Sequence, residues 1–286
     1  MTRGWPGRLG GWACWALLVA AVLGHAVLGL LAIAEFATLG WPLMTWFDTG
    51  AVTVVLASAL AGLTASTLVA VRAAAGWRAV RALMGTDRCP VPRVVQAEAA
   101  VLGCAARLDA VDGEEAFAVT YGLIRPRILI SSGLARVLTR AEIGAVLAHE
   151  AEHIRCRDPL RLLAARLAAA WACYLPAARW LWGGAMLRHE LAADRAAAGR
   201  AGRSVLAGAL LKLASTPTCP AVAAASPAGD GPRSLEARVS QLEAGRPPRQ
   251  RPAVSRLLSS AGAVALLAAA SMCCTALSQI LPGGVL

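Results

Sequence analysis

Thr139-Arg140-Ala141-Glu142-Ile143-Gly144-Ala145-Val146-Leu147-Ala148-His149-Glu150-Ala151-Glu152-His153 is the stretch on which the reading of this chain turns. Thr139 and Glu142 have the S/T-x-x-E form of a capping box, and Ile143, Val146, Leu147 and Ile154 recur at helical spacing. The sequence therefore predicts a helix that starts near Thr139. On it His149 and His153 are four residues apart and lie one above the other, where two imidazoles can grip one ion. Neutral imidazole suits zinc, and one ion per chain is expected. Glu150 sits one position round, near enough to act as a general base on a water held at that ion, whereas Glu152 faces elsewhere and is expected in solvent. The bland alternative is a polar helix face with two incidental histidines, but the capped helix is the context the H-E-x-x-H pattern requires.

A catalytic metal site needs a third protein ligand and an open position. Glu190 is the candidate, because it begins Glu190-Leu191-Ala192-Ala193-Asp194, whose carboxylates share a helix face. Glu190 would bind the ion while Asp194 holds a ligand histidine from behind. The same spacing also suits ion pairs with Arg188 or Arg195 on a solvated face. His189 adjoins Glu190 but points away from it, and is read as a surface or supporting residue. Cys156 is not expected to be a ligand.

Before the helix, residues 73–160 mix polar and apolar character with turn signals at Pro90, Pro92, Asp112, Gly113 and Pro126, as in a water-facing folded domain. Arg127-Ile128-Leu129-Ile130-Ser131, bounded by Pro126 and Gly133, predicts a strand. A helical stretch is expected over 185–213, a loop over 215–232, and a short amphipathic helix over 234–242.

These residues resemble the gluzincin-type membrane proteases, above all the BlaR/MecR-like antirepressor metallopeptidases and more distantly the HtpX-like quality-control proteases. The resemblance runs through Phe117-Ala118, Gly122, Pro126 to Leu134, Leu138-Thr139, Glu142, Val146 to His153, Arg155, Asp158, Glu190 to Asp194 and Leu235 to Leu242. It implies that His149, His153 and Glu190 bind zinc, that Glu150 is the general base, that Asp194 supports the site, and that the Ile128 to Ser131 strand lines the substrate cleft. An extended substrate is expected to add to that strand's edge. The implied substrate is a cytoplasmic protein, a winged-helix transcriptional repressor cleaved in regulated signalling. The alternatives are an HtpX-like quality-control protease and a non-enzymatic pseudoprotease. The β-lactam sensors of that family carry an extracellular penicillin-binding domain after the last span; this chain ends at Gly283-Gly284-Val285-Leu286 and is expected to lack it. A signal is then expected through the spans, the short external loop or a separate partner, and the partners expected are a sensor protein or a second copy of the chain.

A mean hydropathy of +0.58 over 286 residues is too apolar for a soluble domain of this size. Three uncharged stretches are long enough to cross a bilayer: 9–34, 49–71 and 257–286. The first, which contains His25, reads as a retained anchor. The net charge of +11 raises nucleic-acid binding, but the arginines follow topology instead. Arg3 and Arg8 precede the first span, Arg72, Arg78, Arg81 and Arg88 follow the second, and Arg246, Arg249, Arg251 and Arg256 precede the third, while the first loop carries only Glu35 and Asp48. The positive-inside rule then predicts a multi-pass bacterial membrane protein with cytoplasmic residues 73–256 and no direct contact with nucleic acid. Eight cysteines without a CxxC pair read as buried thiols in a reducing compartment.

Segment 161–187 is apolar, but its uncharged core runs only from Leu167 to Ala178 and contains Pro176. Its basic flanks exclude a simple crossing, as does the need for Glu190 to reach the two histidines. It is expected to be re-entrant or buried. The fold class expected is thus a mainly α integral membrane protein, with transmembrane helices and a cytoplasmic zincin-like α+β metalloprotease domain.

Overall fold

The computed structural model describes residues 46–173, 175–217, 219–225, 231–246, 255–256 and 258–263. The expected first span at 9–34, its His25, the loop that follows and nearly all of the expected last span lie outside the described residues. In chain order the elements are α1 (Trp46–Thr86), β1 (Arg88–Cys89), α2 (Arg93–Val101), β2 (Leu108–Val111), β3 (Ala118–Tyr121), β4 (Arg127–Ser131), α3 (Leu134–Val137), α4 (Arg140–Cys156), α5 (Asp158–Trp171), α6 (Pro176–Ala201), α7 (Arg203–Ala214), α8 (Pro220–Ala225) and α9 (Gly231–Ala244). The chain divides into two compact units, one of residues 1–69, 166–182 and 251–286, the other of 70–165 and 183–250.

Helix α1, whose residues up to 69 belong to the first unit and whose remainder belongs to the second, is the one helix among the described residues long and apolar enough to cross a membrane, over Ala57–Thr86. Leu60, Leu63 and Leu68 on it are exposed, as suits a helix whose solvent is lipid. The apolar segment after α4 is not one helix but two. The helix ends in a turn at Ala172–Cys173, and the chain restarts helically at Pro176, where a missing N–H costs nothing. Gly62 lets α1 approach this turn closely, because a Cβ there would lie 2.9 Å from the Trp171 carbonyl oxygen. Past the turn, the Ala177 N–H donates to Ser260 Oγ at 2.9 Å.

The second unit is built on a four-stranded sheet of order β1-β2-β4-β3, with β2 and β4 parallel and both outer pairs antiparallel. Only β4 was expected, as Arg127–Ser131, and it occurs there. It is a central strand with both edges paired, so it cannot receive a substrate strand. The terminal strand beside it is β3. Both faces of the sheet are covered, which is why Ile128-Leu129-Ile130 is apolar without alternation. Ile128 and Ile130 face α4, packing with Leu147 and Val146, while Leu129 packs with Val111 and with Val80 of α1.

Strands β1, β2 and β3 are too short and too mixed to stand out as period-two runs. What ties them together is polar: buried Asp109 of β2 meets Arg88 of β1, Arg127 of β4 and the Tyr121 hydroxyl of β3. One carboxylate so partnered can stay charged away from water, and its pKa falls although burial opposes that.

The capping box at the start of α4 forms as the sequence predicts. Thr139 Oγ1 accepts from the Glu142 N–H, and Glu142 accepts from the Thr139 N–H at 2.8 Å. Lys212 of α7 also donates to Glu142, at 2.7 Å. The helix ends at Arg157, the one described non-glycine residue with positive φ, at 53°. The single helix expected over 185–213 is split at Gly202, whose φ of 93° breaks α6 from α7. The loop expected over 215–232 contains the short helix α8, and α9 begins earlier than 234. Three alanines and two leucines of α4, α6, α7 and α9 then close the core: Ala145, Ala148, Ala197, Leu206 and Leu242.

Thr139→Ala removes one capping oxygen and is expected to lower unfolding stability by about 1 kcal/mol, whereas Thr139→Ser keeps the cap. Thermal unfolding of the detergent-solubilised chain measures both, and equal stability of the two variants would show the cap to be idle.

Candidate metal centre

Along α4 the four-residue spacing stacks His149 and His153, whose rings meet edge to face with centroids 4.7 Å apart. Their Nε2 atoms are 3.1 Å apart. Glu190, carried by α6, brings Oε2 to 3.5 Å from His149 Nε2 and Oε1 to 3.7 Å from His153 Nε2. Ligand atoms around a tetrahedral ion, each about 2.0–2.2 Å from it, are separated by roughly 3.3–3.6 Å. The two nitrogens and the Glu190 carboxylate, which turns one oxygen toward each ring, are thus close to the spacing that an ion requires, and both donor types suit a divalent metal.

The rings are aimed from behind. His149 Nδ1 lies 2.9 Å from Asp194 Oδ1, and His153 Nδ1 lies 2.8 Å from Asp158 Oδ2. At His153 the hydrogen bond between Nδ1 and Asp158 keeps the proton on that nitrogen and leaves the Nε2 lone pair for a metal, while Asp194 stands at ion-pair distance from His149 Nδ1 without hydrogen-bond alignment. Asp194 is fully buried and Asp158 nearly so, so neither can turn to water instead. The carboxylates also act on charge. Burial works against protonation of His149, but Asp194 and Glu190 outweigh it and push its pKa up to about 10. In the same way burial would raise Glu190, yet the adjacent His149 and His153 hold it well below the usual carboxylate range. Without metal, a proton balances this anionic cluster; metal binding has to displace it.

The structure brings together all five residues singled out from sequence, His149, Glu150, His153, Glu190 and Asp194, within the second unit. Glu190 and Asp194 do not lie on a solvated face. Glu150 is buried, and its Oε2 accepts from the Thr120 hydroxyl at 2.7 Å. Glu152, expected in solvent, is instead partly buried and paired with Arg155, because residues three apart on a helix meet.

Three further residues stand around the site. Asp158 was matched only as part of the resemblance; its place five residues after His153, just beyond the helix end, was the available signal. His189, read from sequence as a surface or supporting residue, takes the supporting place, since its Nδ1 lies 2.8 Å from the other oxygen of Asp158. Arg238 is the third. From α9 its Nε and Nη2 donate to the two oxygens of Asp194 at 2.7 and 2.8 Å, and Nη1 lies 3.4 Å from Glu190 Oε2. Arg238 falls three residues after Leu235 and four before Leu242, so a charge on the apolar stripe of an amphipathic helix was visible. Gln241, one turn on, donates to the Leu191 carbonyl at 2.8 Å and fixes α9 against α6.

Asp158→Ala and Asp194→Ala are each expected to weaken metal retention by roughly 10–100-fold, with Asp158→Asn milder because its oxygen still accepts from Nδ1–H. Competition against a chelator on the purified chain measures this. Unchanged retention in both alanine variants would mean that the carboxylates do not aim the rings.

With this geometry in place, comparison with known proteins points the same way. Residues 90–217 match the model of Peptidase family M48, an interval holding His149, Glu150, His153, Glu190 and Asp194. The Protease HtpX homolog of Pyrococcus furiosus is 45% identical over 60 residues, 20% of this chain and 21% of that protein. The Protease HtpX homolog of Pyrococcus abyssi is 43% identical over 72 residues, 24% of this chain and 25% of that protein. The chain thus matches about a quarter or less of the length of these curated relatives. Residues 90–217 are thus similar to Peptidase family M48, and the described residues include a His149, His153 and Glu190 cluster that could hold a metal ion and a helix, α1, long and apolar enough to cross a membrane.

Proposed function

We propose that this chain is a membrane-associated zinc metalloendopeptidase, with one zinc ion held by His149, His153 and Glu190 and with Glu150 as its general base. The observation that carries the reading is the convergence of two Nε2 atoms, 3.1 Å apart and carried on the helix that also holds Glu150, with the Glu190 carboxylate, whose Oε2 lies 3.5 Å from His149 and whose Oε1 lies 3.7 Å from His153. When bound, zinc supplies Lewis acidity that polarises a scissile carbonyl and lowers the pKa of water. Glu150 takes the proton from that water as it attacks and returns it to the departing amine. Asp158 keeps the His153 imidazole in the tautomer that binds metal, Asp194 stands behind His149, and Arg238 offsets the negative charge of Asp194 and Glu190.

The substrate is a polypeptide in extended form. β3 is the terminal strand of the sheet and packs on α4, so a substrate strand added to its free edge would run past Glu150. This replaces the role first expected of the Ile128 strand.

The same distances bear on topology. Because His153 and Glu190 meet, the chain between them is read as leaving and returning on one side, with α5, the turn at 172–173 and α6 as a re-entrant or buried segment. By the positive-inside rule that side is the cytoplasm. Two substrate readings use one centre: a winged-helix repressor cut in signalling, as the antirepressor resemblance implies, and unfolded protein, as the resemblance to quality-control proteases implies.

Purified chain in detergent with unfolded casein and with a panel of small winged-helix repressors tests both. Glu150→Gln is expected to keep zinc and lose at least about a hundredfold of its activity, while His149→Ala loses zinc and activity together. A fully active Glu150→Gln would sink the mechanism, and selective cleavage of a repressor would decide for signalling over quality control.

A further inference from the structure

Thr120 belongs to β3 and serves two sides of the site. Its side chain faces α4, where the hydroxyl lies 2.7 Å from Glu150 Oε2 and 3.1 Å from the Glu150 carbonyl oxygen. Its backbone faces the other way in the plane of the sheet. The Ser131 N–H donates to the Phe117 carbonyl at 3.1 Å, and antiparallel pairing alternates, so Val119 and Tyr121 turn their backbone groups to β4. Ala118 and Thr120 then turn theirs to the free edge, the place a substrate strand would take.

We propose that Thr120 is the positioning residue of the general base: its hydroxyl donates to one oxygen of Glu150 and so fixes the carboxylate, leaving the second oxygen to receive the proton of water. This rests on the endopeptidase reading above. A glutamate side chain has three torsions, and an unanchored carboxylate on α4 would sample several rotamers of which only some face the scissile bond. One hydrogen bond to an oxygen selects among them without blocking the other oxygen. No atom of Thr120 is transferred, so the reaction's proton balance is unchanged. Because the residue that aims the base is also the one whose N–H and C=O a substrate strand would meet, substrate docking bears directly on the strand that holds the base.

The test separates contact from catalysis. Thermal unfolding of the metal-free chain is measured for wild type, Thr120→Val, Glu150→Ala and the double variant. Thr120→Val is expected to lower the melting temperature when Glu150 is present and to have no such effect when it is alanine; additive effects overturn the proposal whatever the activity. With zinc loaded and casein as substrate, Thr120→Val, which keeps the side-chain shape and removes the donor, is expected to lower kcat about tenfold or more with KM within about twofold. Thr120→Ser, which restores the donor, is expected to recover most of that loss. Unchanged kcat in Thr120→Val, a rise in KM alone, or a serine variant as slow as the valine one overturns it. Failure of the endopeptidase reading shows differently, as no cleavage by wild type or full activity of Glu150→Gln, and the unfolding cycle then still decides whether Thr120 holds Glu150.

Discussion

Two imidazoles can share one ion only if both rings are turned so that the same nitrogen of each faces inward, and a helix backbone alone does not turn them. The arrangement of this chain's second unit follows from that constraint. Each ring has a buried carboxylate behind it, Asp194 for His149 and Asp158 for His153, at 2.9 and 2.8 Å. Burying carboxylates is costly unless they are partnered, and the partners are recruited from further off: Arg238 for Asp194 and His189 for Asp158. Placing those partners requires α6 beside α4 and α9 beside α6. The helical half of the unit can be understood as the scaffold for two ring orientations.

Under the proposed function the sheet answers a second demand, that Glu150 be held beside the metal centre and that a polypeptide pass it. β3 meets both by packing its Thr120 hydroxyl on Glu150 while keeping one edge unpaired. The strand is held in place from behind by Val119 and Tyr121, which pack with Leu129 and Val80, and by the Asp109 cluster that links all four strands. A charged group buried between short strands is a register device as well as a polar one, because sliding any of its neighbours by a residue would cost Asp109 one of its partners.

What was legible in the sequence was whatever depended on neighbours along the chain. The capping box, the H-E-x-x-H spacing, the Glu190 and Asp194 pair and the strand at Ile128 are all local patterns, and the structure contains each of them. What was missed depended on encounters between distant segments. β2 and β3 are four residues each, shorter than the pattern needed to recognise a half-buried strand. That β4 is central and β3 terminal is a fact about pairing, which no single strand carries. Arg238 reads as one more arginine until α9 is laid against α6. The break at Gly202 was visible as a glycine, but a glycine in a helical run is often tolerated and only its positive φ marks the end.

The left-handed turn at Arg157 makes the two histidines unequal in origin. Because the chain reverses immediately after α4, Asp158 reaches back to a ring only five positions earlier, and this pair is set by a single local fold-back. His149 depends on Asp194, which is 45 positions along and arrives only after the α5 and α6 hairpin has been made. Loop closure over that span costs more and comes later than closure over five residues. During synthesis the chain therefore passes through a stage with one ring aimed and the other free, a half-built centre with neither its carboxylate ligand nor its arginine. Assembly of the metal centre is in this way tied to completion of the segment between the two motifs, and a chain that stalls there is an unarmed one.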